Sequence, residues 1–164
     1  TGVAPAVFGP QRTNNRAQLA TFLWRFAGEP VPSAPSGFSD VQAGSFYEDA
    51  VAWMKESRIT TGTSPTLFSP DGTVTRAQAA AFLWRFAGEP TSDQPIAFTD
   101  VSDGSYYAEA VRWMVEFGIT TGTTPTTFAP NEVLTRGQIA TFLWRLADAP
   151  DAFADGVDLP DAMR

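Results

Sequence analysis

Apolar residues in this chain fall into short helical stripes separated by polar turns rich in proline and glycine. Tyr47, Ala50, Val51 and Met54 stand at i, i+3, i+4 and i+7, one face of a helix of about three turns. Tyr107, Ala110, Val111 and Met114 repeat it. A second stripe, Ala79, Phe82, Leu83 and Phe86, is preceded by Thr75, which can cap a helix. Gln78, three residues on, can reach back to the cap's own amide. Thr135 and Gln138 offer the same reciprocal pair, and the second stripe ends at Gly88 and Pro90, as its earlier copy ends at Gly28 and Pro30. We call the first kind the front helix and the second the back helix. Gly118 follows one front helix and suits a left-handed C-cap; Arg58 holds that place in the other copy, which predicts a less well made helix end there.

The stripes belong to a longer repeat with a period of 60 residues. Thr75-Arg76-Ala77-Gln78 with Phe82-Leu83-Trp84-Arg85 recurs as Thr135-Arg136-Gly137-Gln138 with Phe142-Leu143-Trp144-Arg145, and earlier as Asn15-Arg16-Ala17-Gln18 with Phe22-Leu23-Trp24-Arg25. Phe38-Ser39-Asp40-Val41 through Ile59-Thr60-Thr61-Gly62-Thr63 is answered by Phe98-Thr99-Asp100-Val101 through Ile119-Thr120-Thr121-Gly122-Thr123. One helix-loop-helix unit used several times gives an all-α module, stable because neighbouring units cover each other's apolar faces. Residues 1–30 read as the back half of unit 1, 38–90 as unit 2 and 98–150 as unit 3, with proline-rich linkers at 30–35 and 90–95. Phe68 and Phe128 are expected to pin the loops onto the core. Segment 153–164 echoes the start of a front half, Phe153-Ala154-Asp155 matching Phe98-Thr99-Asp100. Three readings of it stand: the sequence is a piece of a longer protein, the segment closes the array in place of the missing front half of unit 1, or it completes a neighbouring chain.

Composition narrows the functions. The net charge is −7 with a pI near 4.4 and dispersed basic residues, which argues against a nucleic-acid partner. There is no cysteine and no histidine, so thiolate metal sites, disulfides and the commonest general base are all missing. Carboxylates alone remain for acid/base work, and no enzyme and no cofactor are expected. No apolar run reaches bilayer length, so membrane insertion is not expected either; a secretion signal, if one exists, lies outside this sequence.

The three registered copies resemble the S-layer homology family: F-x-D-V, an aromatic-led helix, a glycine-containing loop ending in F-x-P, then T-R-A-E opening a second helix. The likeness runs from about residue 8 to 150. It implies three units about a pseudo-threefold axis, and a module that holds exported proteins at the bacterial cell surface by gripping a secondary wall polysaccharide, often pyruvylated. It also implies that Arg16, Arg76 and Arg136 contact that polymer, that Gln18, Gln78 and Gln138 replace the motif acid, and that Phe46 and Tyr106 stand for the aromatic ahead of the front helix. Gly62-Thr63-Ser64-Pro65 and Gly122-Thr123-Thr124-Pro125 replace the family's glycine-x-aspartate-glycine loop, and threonine hydroxyls could take over the acid's hydrogen bonds.

Physical chemistry leaves two uses for most of these residues. An arginine in the first turn of a helix can clamp a carboxylate beside unpaired amides and the positive dipole end. Equally, it can pair with Asp40 or Asp100 of an adjacent unit. Trp24, Trp84 and Trp144 can offer ring faces to sugars or pack between units; Trp53 and Trp113 read as core. Asp40 and Asp100 read as short-range caps or turn residues rather than a hydrolytic pair. Gly62 and Gly122 permit close backbone approach to a ligand or simply make turns. Asp148, Asp151, Asp155, Asp158 and Asp161 read as a solvated acidic tail, with a calcium site the remote alternative and no metal expected. The leading expectation is non-catalytic wall-polymer binding outside the cell. The alternative is a self-assembling module whose unfinished ends, 8–30 and 153–164, pair between chains.

Overall fold

The computed structural model describes residues 7–157. The elements are α1 (Arg16–Phe26), α2 (Glu48–Glu56), α3 (Arg76–Phe86), α4 (Ala108–Glu116), α5 (Arg136–Ala147) and a 3₁₀ turn, Pro150–Ala152, with no strand among the described residues. The protein is all-α, as the stripes predict. None of these helices is long and apolar enough to cross a membrane. All three back helices open with the expected capping box. The Thr75 hydroxyl accepts the Gln78 amide at 3.3 Å while the Thr75 amide donates to Gln78 Oε1 at 3.2 Å, and Asn15 with Gln18 does the same at 2.9 and 3.2 Å. The front helices α2 and α4 start without a side-chain cap.

Two of the back helices pack on the front helix that follows them, α1 on α2 and α3 on α4, so the tightest pairs form across the proline-rich linkers. The shared core holds Leu19, Leu23, Val51, Met54, Leu83, Val111, Met114 and Leu146, with Phe68 and Phe128 fully buried as the loop pins. Trp113 lies entirely inside and its indole donates to the Ala152 carbonyl at 2.7 Å. Arg58 does take a positive φ of 59°, beside 67° for Gly118. The expected poorer end is not found: the amides of Arg58 and Gly118 both donate at 3.1 Å to the carbonyl three residues back. The cost of the arginine is backbone strain, without loss of hydrogen bonds.

The segments leading into the three back helices close on one another. The amide of Asn14 donates to the Leu134 carbonyl (3.3 Å), Leu134 to Val74 (3.0 Å) and Val74 back to Asn14 (3.3 Å). Isolated bridges Thr13 to Thr135, Asn15 to Thr73 and Thr75 to Val133 flank this triangle. The first amides of each back helix are taken by the next loop in the cycle: Arg16 and Ala17 donate to Gly72 and Pro70, Arg76 and Ala77 to Glu132 and Pro130, and Arg136 and Gly137 to Arg12 and Pro10. Helix ends that normally leave four amides unpaired are thereby satisfied by a neighbour, which ties local capping to assembly of the whole.

After α5 the chain turns beneath the bundle. Phe153 meets Phe86 edge-on at 5.6 Å, the Ala154 amide donates to the Ala87 carbonyl at 2.8 Å, and Val157 packs over Gly88. The described part of the closing segment thus covers the end of α3; residues 158–164 lie outside the described residues.

Candidate functional site

Arg16, Arg76 and Arg136 occupy equivalent positions at the joints of the cycle, each nearly buried. Arg16 donates through Nε to the Phe68 carbonyl at 2.7 Å and lies over the rings of Phe68 and Phe82 at 4.7 and 5.3 Å. Arg76 lies over Phe128 and Phe142 at 5.2 and 5.0 Å and reaches the Thr120 hydroxyl at 3.5 Å, its Nε having no partner among the described residues. Arg136 donates to the Phe8 carbonyl at 3.0 Å and lies over Phe8 and Phe22. For Arg16 and Arg76 the expected ion pair with Asp40 or Asp100 is absent among the described residues; aromatic rings and a loop carbonyl or hydroxyl take the place of a carboxylate.

Asp40 and Asp100 have a different task from the short-range cap or turn expected. Asp40 accepts the amides of Phe68 and Ser69 at 2.8 and 2.7 Å, and Asp100 those of Phe128 and Ala129 at the same distances. These partners are 28 and 29 residues on, beyond any local motif. The carboxylates hold Ser69 and Ala129 at φ of 59° and 60°, where the first copy has Gly9 at 64°. A further correction concerns the helix starts. The amides expected to receive an anion are already bonded to loop carbonyls, and the side-chain oxygens of Gln18, Gln78 and Gln138 are used in capping.

A groove of about 430 Å³ lies open to a ligand between α1, α3 and the loop after α2. Its walls are Arg16 from α1, Thr60 to Thr63 after α2, Gln78, Phe82 and Arg85 from α3, and Tyr106 ahead of α4. No carboxylate lines it, although the chain carries a net charge of −7. Burial works against the charge of Arg16 and lowers its pKa, with nearby Asp40 pulling the other way. Only Nε of Arg16 is bonded within the described residues, so an anion reaching the other guanidinium nitrogens would relieve a desolvated cation. Arg85 touches the Ile59 carbonyl at 3.4 Å and Glu89 at 3.9 Å, the latter a weak, half-exposed pair. Burial raises the pKa of Tyr106 and both arginines pull it back, so the phenol is neutral at physiological pH. Its exposed ring forms one lip of the groove.

Of the residues singled out in the sequence, Arg16, Gln78, Tyr106 and the Thr60–Thr63 loop with Gly62 meet in this groove. Gly62 is demanded by the loop itself: at φ 85° a Cβ would come within 2.4 Å of the Leu67 carbonyl oxygen and 2.7 Å of the Phe38 ring, and Gly122 is confined in the same way by Phe98. Trp84 is not among the residues that line this groove and donates its indole N–H to the Pro90 carbonyl at 2.9 Å; Trp144 is exposed on the outer side of α5. Arg85 was missed. The spacing of Gln78, Ala81, Phe82 and Arg85 at i, i+3, i+4 and i+7 already put Arg85 on the face that bears Gln78. No cluster of three or more potential metal ligands occurs among the described residues.

The family model for the S-layer homology domain matches residues 37–80 and 97–140. An endoglucanase of Bacillus sp. (strain KSM-635) is 36% identical over 127 residues, covering 77% of this chain and 13% of the relative. An S-layer protein of Bacillus thuringiensis subsp. finitimus is 26% identical over 147 residues, 87% of this chain and 18% of its own length. A cellulosome-anchoring protein of Acetivibrio thermocellus is 26% identical over 102 residues, 60% of this chain and 23% of its own. The chain thus spans less than a quarter of each of these relatives.

Proposed function

Because the chain belongs to the S-layer homology domain family, we propose that it is a non-catalytic anchor that retains a protein at the bacterial cell surface by binding a wall polymer. Relatives named for S-layers and for cellulosome anchoring support this, and the enzymes among the relatives carry the matching segment as a small part of a longer chain. The observation that carries the reading is the groove at Arg16 and Arg85, cationic and free of lining carboxylates on an acidic protein, with threonine hydroxyls and an exposed tyrosine ring along its edge. A sugar bearing a carboxylate, such as a pyruvate ketal, matches that set: a planar fork for the anion, hydroxyls for the sugar, a ring for its apolar face. Arg76 with Thr120 repeats part of this set at a second joint, and Arg136 with Arg25 repeats its arginine pair at the third, so several weak contacts on one molecule would add through effective concentration.

The test is sedimentation of the protein with wall sacculi before and after acid extraction of the non-peptidoglycan polymers. Co-sedimentation should disappear on extraction. Arg85→Gln should weaken it by about tenfold, as expected for loss of one charge-assisted contact, with the circular dichroism melt unchanged. Retention on extracted sacculi would overturn the polymer assignment, and full retention by Arg85→Gln would remove this groove from it.

A further inference from the structure

Gln78 has two tasks, and the two ends of its carboxamide divide them. It stands at the third position of α3, where the backbone amide of Thr75 donates to its Oε1 at 3.2 Å. An N–H is received by the oxygen of a carboxamide and never by its NH2 group, so the cap itself fixes which end of the side chain is which. Nε2 is left with no hydrogen bond among the described residues, and the same side chain forms part of the wall of the groove at Arg16 and Arg85. The helix start thus uses the acceptor and leaves two N–H donors for the groove.

The other walls lean the same way. Guanidinium groups donate without accepting, and the Thr60 hydroxyl already accepts the Gly62 amide at 3.1 Å. None of the lining residues is an aspartate or a glutamate. A glutamate in place of Gln78 would cap α3 equally well, because either carboxylate oxygen can receive the Thr75 amide and a negative charge suits a helix start. Helix formation therefore does not choose between the two residues. What differs is the second end of the side chain: two donors for the groove, or a charged acceptor in it.

We propose that Gln78 sets the charge preference of this groove: its oxygen is spent on the helix cap, its NH2 group is offered to the ligand, and the site thereby selects an ionised carboxylate over the neutral form of the same sugar. The preference rests on the wall-polymer reading of the groove. Arg16 and Arg85 supply the attraction, and Gln78 adds a donor beside them without the opposing charge that its glutamate counterpart would bring. Its part is to determine specificity, with the cap as the device that orients it.

Two probes separate the charge from the sugar: a methyl hexoside carrying a cyclic pyruvate ketal, and the methyl ester of the same compound. Each is titrated into the full chain and followed by the amide shifts of Thr61, Gly62 and Tyr106 in heteronuclear NMR. The wild type should bind the acid about tenfold or more tightly than the ester. Gln78→Glu should lose most of that preference, with the acid weakened about tenfold and the ester bound as before, while its melt stays at or above that of the wild type. Gln78→Met, with neither donor nor charge, should bind the acid several-fold more weakly and still prefer it to the ester. Acid binding by either variant as tight as by the wild type would overturn the role of Gln78 and leave the carboxylate reading in place. Equal losses for acid and ester would overturn it too, by making Gln78 a structural residue. No saturable shift with the acid in the wild type would overturn the carboxylate reading and the role of Gln78 with it.

Discussion

Asn14 is the residue at which the repeat departs furthest from what its place requires. It shares the central triangle with Val74 and Leu134, all three buried, yet neither its Nδ2 nor its Oδ1 has a hydrogen-bond partner among the described residues. A desolvated amide without partners costs about 1–3 kcal/mol. Asn14→Leu, which keeps the branched four-atom side-chain shape, should therefore stabilise the protein by a comparable amount and raise Tm by several degrees, measured by calorimetry. An unchanged or lower Tm would mean that the amide is satisfied in solution. The period of 60 made Asn14 equivalent to Val74 in the sequence, so its burial was legible there. The roles of Asp40 and Asp100 were not, because their partners lie 28 and 29 residues away and no local pattern encodes a bond of that reach. The register of the repeat marks Arg16, Gln78 and Gly62, whereas Arg85 belongs to the site only through the helix face it shares with Gln78, which no motif position records.

At the scale of elements, helices were predicted correctly from stripe and cap, and the loops follow from single positions. Arg58 and Gly62 lie on one loop and make opposite predictions, although both have positive φ. Arg58 is exposed and strained, so Arg58→Gly should gain up to about 1 kcal/mol, the relief of a left-handed L-residue less the added freedom of the unfolded chain. Gly62→Ala would force a Cβ against two backbone oxygens and the Phe38 ring, and should cost about 2 kcal/mol or more. Urea midpoints of the two variants moving in opposite directions would bear this out; movement in the same direction would mean that the loop relaxes around either change. The pairing of elements was read less well than their existence. Periodicity assigns a helix its apolar face, but which neighbour covers that face depends on the linker, and here the proline-rich segments bring a back helix onto the front helix after it.

For the molecule as a whole, the contacts that cap one unit are made by the next, and the third returns to the first. Unfolding should be a single transition, with tryptophan fluorescence and far-ultraviolet circular dichroism coincident in urea, and a protein consisting of residues 1–96 should lack a cooperative transition. Separate transitions for the two probes would instead mean that units melt one by one, as in an open array.

The triangle of Asn14, Val74 and Leu134 also limits how such a chain can grow. A solenoid accepts one more copy at either end, because each end repeats the surface that the last copy used. Here the third copy hands its carbonyl and amide back to the others, and within this triangle no carbonyl or amide is left over for a fourth copy. Duplication of a single 60-residue copy would supply a unit with no place in the ring; lengthening by this route has to come in threes, as a second ring on the same chain.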